Sequence, residues 1–215
     1  MLSTPGATVK APHTRRGPFY GWYIVMASVI TNMMATASFY QGFQAFFLPI
    51  LGTFGWTRTQ ISGAFALRQV ESGLLGPGVG FLVDSLGARR IIIVGGIVAG
   101  LGVILISLTQ NLWMFYVAFL LTSIGTSGTS HAVTWPTIIA RWFTRHRGVA
   151  IGLATFGPIV GVAFIVPNTF FESYFGWRST LFVYGILMAI VTVGMGLIAR
   201  DWPGEYGYLP DGRSP

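Results

Sequence analysis

Apolar residues run through this chain in six long stretches separated by short polar breaks: 20–51, 61–86, 91–108, 112–143, 149–174 and 179–199. An apolar helix of about 20 residues covers the ~30 Å hydrocarbon core of a bilayer. The runs are continuous and far longer than the ~10 alternating residues of a membrane barrel strand, so they read as helices. The pattern predicts an all-α membrane protein, a six-transmembrane-helix bundle over 20–199. It is flanked by a polar arm at 1–19 and a polar tail at 200–215, which carries Pro203, Pro210 and Pro215 and reads as a soluble extension.

Composition sharpens this picture. Of the 215 residues, 53% are hydrophobic and only 9% charged, against roughly a quarter charged in soluble domains. Too little charge is present to cover a water-soluble surface. The absence of cysteine excludes disulfides, thiolate nucleophiles and cysteine metal sites, and nothing in the pattern calls for a metal or a cofactor. The arm lacks an apolar segment followed by a cleavage site, so no signal peptide is expected.

The net charge of +7 first suggests nucleic acid, but its distribution speaks against that. Lys10, Arg15, Arg16, Arg89, Arg90, Arg141, Arg145, Arg147, Arg200 and Arg213 fall on one side of the predicted bundle. Arg58 and Arg178 fall on the other, and Arg68 lies within a helix. This is a positive-inside bias. It predicts a multi-pass protein of the plasma (inner) membrane with both termini cytoplasmic, and a lipid bilayer rather than nucleic acid as its partner. Trp22, Trp56, Trp113, Trp142, Trp177 and Trp202 stand at predicted helix ends, where interfacial aromatics are expected. Glycine-rich stretches such as "GGIVAGLG" and "GLLGPGVG" suit close helix packing in lipid. Pro49, Pro77, Pro136, Pro158 and Pro167 are candidate bends.

Between the second and third stretches lies "GFLVDSLGARR", with Gly80, Asp84, Gly87, Arg89 and Arg90 in the form G-x-x-x-D-x-x-G-x-R-R. Asp84 can face a helix N-terminus or pair with Arg89, and the glycines permit a tight turn. Between the fourth and fifth stretches, "RWFTRHRGVAIG" carries Arg141, Arg147, Gly148 and Gly152. Both loops resemble those of the major facilitator superfamily of transporters, although Ser85 stands where that family usually has Arg. "RGPFYGWYIV", "FGWTRTQIS", "RQVESGLLGP", "GWRSTLFVYG" and the closing "PGEYGYLPDG" resemble its monocarboxylate and oxalate–formate branch. "DSLGAR" and "ESYFGWR" repeat an acid–Gly–Arg order after the second and fifth helices. The resemblance implies two three-helix inverted repeats forming the N-terminal half of a twelve-helix fold. It further implies alternating-access transport of a small organic anion, with a proton as candidate co-substrate, and a second six-helix half supplied by a further segment or a second chain.

Arg68 and Glu71 are the full charges deep inside the predicted helices, away from their ends. Counted from Thr59 they lie about 13 and 18 Å in, and a charge at mid-membrane costs about 2.5–3.5 kcal/mol on insertion scales. Their spacing of three puts them on one face. They read either as part of a substrate path, with Glu71 a proton site, or as a neutralised structural pair. The fourth stretch holds "LTSIGTSGTSHAVTWP", where Ser127 and His131 are cavity candidates; the first offers Asn32, Tyr40, Gln41 and Gln44. The resemblance puts both helices on the central cavity.

Two other classes remain in view. "GTSG" in a six-helix chain also resembles rhomboid intramembrane serine proteases. However, His131 lies four residues from Ser127 on the same helix and the sixth stretch holds no His, so no cross-helix dyad forms. The other is a non-transporting six-helix membrane protein or fragment.

Overall fold

The computed structural model describes residues 19–129, 132–206, 208 and 211. The first apolar stretch forms α1 (Gly21–Ala35), a π-helical turn (Thr36–Tyr40) and α2 (Gln44–Phe54). Next come α3 (Arg58–Leu86), α4 (Ala88–Ser107), α5 (Leu112–Gly128) and α6 (Thr134–Trp142). The chain closes with α7 (Arg147–Ala154), α8 (Phe156–Val162) and α9 (Ile165–Ile198). Gly176 breaks α9 with φ 77° and ψ 155°, so the chain runs as an all-α, six-helix segment.

Among the described residues three stretches are long and apolar enough to cross a membrane: Gly21–Phe54, Ala88–Ser107 and the 52-residue Arg147–Ile198. The last has length for two crossings at about 20 residues each. Residues 112–128 are apolar but shorter. Polar residues in α3, among them Arg68, Gln69, Glu71 and Ser72, lower its hydropathy.

The joints explain the helix limits. Gly55 ends α2 in the left-handed region at φ 66°. Thr57 then starts α3 with a capping box: its hydroxyl accepts from the Gln60 backbone N–H, and Gln60 Oε1 accepts from the Thr57 N–H at 2.8 Å. Asn111 caps α5 by accepting from Met114 N–H at 2.9 Å. Gly87 joins α3 to α4 alone, at φ 85° and ψ 140°, close to the conformation of Gly176. Such values are reached almost only by glycine. Gly176→Ala is therefore expected to destabilise the fold by about 1–3 kcal/mol, although nothing crowds its missing Cβ. Thermal unfolding in detergent would read this, and an unchanged melting temperature would contradict it.

Helix α4 sits at the centre of the packing, against α5 and α9. A Cβ on Gly125 would lie 2.3 Å from the backbone N of Ala99, and one on Gly100 would lie 2.7 Å from the Gly185 carbonyl. The glycine-rich α4 thus touches two helices backbone to backbone, as small-residue packing in lipid requires. By contrast Gly73, Gly76, Gly78 and Gly80 of α3, and Gly148 and Gly152 of α7, have open space beside them. One apolar cluster is aromatic, built on Phe39, Phe43, Phe46, Phe115 and Phe119. A second cluster at the tail end gathers Ile24, Val83, Ile92, Trp135 and Trp142. Leu74, Phe81, Val166 and Ile190 project outward, an apolar exterior suited to lipid.

The tryptophans divide. Trp22, Trp113 and Trp202 are exposed, as interfacial anchors would be. Trp142 is fully buried under Phe19, Tyr20 and Tyr208 and donates from Nε1 to the Arg200 carbonyl at 2.8 Å. Trp177 is buried too and donates to Thr53 Oγ1 at 3.0 Å. These two serve packing because each indole N–H finds an internal acceptor.

Candidate functional site

Midway along α3, Arg68 and Glu71 share a helix face but do not pair. Among the described residues the ion pairs are Arg141–Asp84 and His146–Asp211, so Arg68 and Glu71, which read either as path residues or as a neutralised pair, form no ion pair with each other. The reason is competition from α5. Ser123 and Ser127, one helical turn apart, both donate to the Glu71 carboxylate, Ser127 to Oε1 at 3.2 Å. Ser72 adds a longer bond of 3.4 Å. The Arg68 guanidinium instead lies over the Tyr40 ring, 4.9 Å from Cζ to the centroid. Its Nε is buried with no hydrogen-bond partner among the described residues. Arg68 is therefore a cation held by an aromatic face, with donor capacity left over.

Tyr40 reaches this position because the first apolar stretch breaks beside it. The N–H groups of Gln41 and Gly42 both donate to the Thr36 carbonyl, at 3.1 and 2.9 Å. The chain then restarts as α2 with short-range bonds such as Gln44 N–H to the Gln41 carbonyl. π-turns of this kind are frequent at functional sites. Gln41 and Gln44 are exposed at the break, and the Gln44 amide donates to Gln41 Oε1 at 2.9 Å.

The other predicted residues are placed as follows. Asn32 is buried, with its amide turned onto Ser28 of its own helix at 2.8 Å and its Cβ beside Gly157 of α8. It packs α1 on α8. His131 lies outside the described residues. In the sequence Ser123 reads as an ordinary apolar-helix serine of "FLLTSIG", and its four-residue offset from Ser127 is the signal that pairs them on one face.

The signature loop forms a second constellation at the tail end. Asp84 accepts from Arg141 Nη2 at 3.0 Å, not from Arg89. Asp84 is 71% exposed, so the pair contributes little to stability, about 0–1 kcal/mol. Arg141 is also held over Trp202, 4.4 Å from its centroid. The start of α4 is capped instead by Asp201, whose Oδ1 accepts from Arg89 N–H at 3.2 Å. Arg90, Arg147 and Gly148 are exposed.

Over its described residues the tail is a strap folded onto both loops. Arg200 lies over Tyr20 and Tyr206, Tyr20 donates to the Ile198 carbonyl at 2.9 Å, and Asp211 sits on the turn before α7. Burial alone would raise the Asp211 pKa. Hydrogen bonds from the Thr144 hydroxyl and from the backbone N–H groups of Arg145, Thr144 and His146 outweigh that and hold it at about 2, below the ordinary 3.8. A depressed carboxylate stabilises docking above its unfolded pKa and loses that contribution as pH falls through the folded value. Tail docking should therefore persist down to about pH 4 and weaken between there and about pH 2. Limited proteolysis at acid pH would check this; early loss in wild type, or an Asp211→Asn variant indistinguishable from wild type at neutral pH, would contradict it.

A bundle of apolar helices with an embedded cation and a hydrogen-bonded carboxylate defines a multi-pass membrane protein with a polar site inside its helices. Residues 11–208 match the family model of the Major Facilitator Superfamily, and the chain belongs to that superfamily, whose members are transporters and not enzymes. It is similar to the uncharacterized MFS-type transporter YcxA of Bacillus subtilis, 27% identical over 88% of this chain and 46% of that protein. It is also similar to human monocarboxylate transporter 2, 27% identical over 91% of this chain and 41% of that protein. Bovine monocarboxylate transporter 1 is 30% identical over 86% of this chain and 36% of that protein. The chain thus spans less than half the length of these relatives. Ser127 is committed to Glu71, and the protease reading gives way to the family assignment.

Proposed function

We propose that this chain is one six-helix half of a transporter that moves a small organic anion by alternating access, with Arg68 meeting the carboxylate. The observation that carries the proposal is the charge of Arg68, which has no ion-pair partner among the described residues. A cation within a membrane span is costly and normally finds an acid. Here the neighbouring acid is taken by Ser123 and Ser127, while Arg68 rests on Tyr40 with its Nε unserved. An arginine in that state suits a carboxylate that comes and goes. Glu71, held by hydroxyls, is the candidate carrier for a co-transported proton. The likeness to monocarboxylate transporters supports the substrate class.

Supporting a second half, α3 and α7 leave glycines with nothing against them. Supporting two three-helix repeats, Gly87 and Gly176 take nearly the same backbone conformation at matching joints. The positive-inside bias supports both termini in the cytoplasm, in the plasma (inner) membrane. Residues 1–19 and 200–215 are then cytoplasmic arms around a transmembrane domain of 20–199.

The test is uptake into proteoliposomes. The chain co-reconstituted with a second six-helix half should accumulate radiolabelled lactate. Failure across a panel of small mono- and dicarboxylates would sink the anion reading, and uptake by the chain as a monomer, with neither a second half nor a second copy, would sink the requirement for a second half.

A further inference from the structure

The break in the first apolar stretch leaves backbone groups to be satisfied inside a membrane span, where water is not at hand. Because Gln41 and Gly42 both donate to Thr36, neither serves the Ala37 carbonyl. The donor comes from 131 residues away: Asn168 Nδ2, on α9, lies 2.7 Å from the Ala37 oxygen and 3.4 Å from the Gly42 oxygen. Asn168 is 0% exposed. Its Oδ1 accepts from the Tyr184 hydroxyl, sixteen residues further on and beyond the Gly176 joint. One amide thus uses both kinds of capacity it has. It bridges the two sides of the break with its N–H groups, and a tyrosine on the next helical pass fixes its orientation. Tyr40, which closes the π-turn, is the residue that carries Arg68.

We infer that Asn168 is a positioning residue for the anion site: it holds the π-turn in the register that sets Tyr40 under Arg68, and Tyr184 sets Asn168. Neither side chain need touch the substrate. The inference rests on the proposed role of Arg68, but its first test does not.

The chain has no cysteine, so paired spin labels can be placed at will. Labels at Leu48 on α2 and Val70 on α3, both exposed, report where the broken stretch sits against α3. Labels at Leu101 and Ile190 report the α4–α9 contact. Asn168→Ala should shift or broaden the Leu48–Val70 distance distribution and leave Leu101–Ile190 unchanged. In a variant that folds, an unchanged first pair, or an equal shift of both pairs, overturns the inference. Tyr184→Phe keeps the ring and removes only the hydroxyl; it should move the same pair by less, and it serves if the alanine variant does not fold.

In lactate uptake, Asn168→Ala should raise KM about tenfold with kcat within about twofold, the scale of one buried carbonyl left unserved. An unchanged KM in a variant that still transports overturns the inference. A wild-type protein that moves no lactate sinks the anion reading instead, and the distance measurement alone then decides the role of Asn168.

Discussion

Gly42→Ala is expected to abolish the native arrangement of the first apolar stretch. A Cβ at this position would lie 1.5 Å from the Ala37 oxygen, 2.4 Å from its carbon and 2.5 Å from Asn168 Nδ2. A methyl group has no rotamer by which to escape, and the nearest obstruction is backbone. The chain must therefore open the π-turn, which also separates Asn168 from the Ala37 and Gly42 carbonyls. Overpacking typically costs about 1–3 kcal/mol, and each buried carbonyl left unserved adds about 1–3 kcal/mol, so the expected loss is at least about 3 kcal/mol. Gly52→Ala, ten residues on in α2, is the control: nothing lies within 4 Å of its Cβ. Replacing a helical glycine by alanine stabilises by roughly 0.5–1 kcal/mol. Tryptophan-monitored thermal unfolding in detergent should show a marked fall for the first variant and none for the second. Equal melting temperatures would refute the account of the break.

That contrast also marks what the sequence makes legible. The helical passes follow from uninterrupted apolar runs, and the single-glycine joints follow from "LGARR" and "FGWR", because little besides glycine turns a chain in one residue. The break at 41–43 carries only an isolated Gly42, which within an apolar run reads equally as a helix-packing glycine. Pro49 and Pro77, the visible helix-breakers nearby, sit inside continuous helices, while the actual break depends on Asn168, far away in sequence. The site behaves likewise. The three-residue spacing places Arg68 and Glu71 on one face, but spacing says nothing of what a neighbouring helix offers. Ser123 and Ser127 take the carboxylate from α5. At the tail end, Arg141 takes Asp84, and Asp201 takes the α4 N-terminus, one of the two places open to Asp84 from the sequence. The fold class is thus written in local pattern. The polar partnerships are set by residues on different helices and become visible only once the helices are packed.

The largest functional effect should come from Arg68. Removing a charge-assisted, bidentate contact from a water-poor site costs several kcal/mol, so Arg68→Ala should lower lactate kcat/KM by at least about 100-fold. Stability should move the other way or stay level, because on the proposed six-helix topology the variant sheds a charge within the membrane worth about 2.5–3.5 kcal/mol on insertion scales. This opposition separates a site residue from a structural one. Arg68→Lys keeps the charge but neither the planar fork nor the flat stacking surface over Tyr40, and it should recover only part of the activity. Glu71→Gln retains an acceptor for Ser123 and Ser127 and should fold; if Glu71 carries the proton, uptake by this variant should lose its dependence on a pH gradient. Charge exchange, Arg68→Glu with Glu71→Arg, decides the remaining alternative. A neutralised structural pair would be restored by the exchange, whereas an anion-binding arginine stacked on Tyr40 would not, because position 71 faces the serines of α5. Recovery of uptake in the exchanged protein, or full uptake in Arg68→Ala, would refute the role given to Arg68.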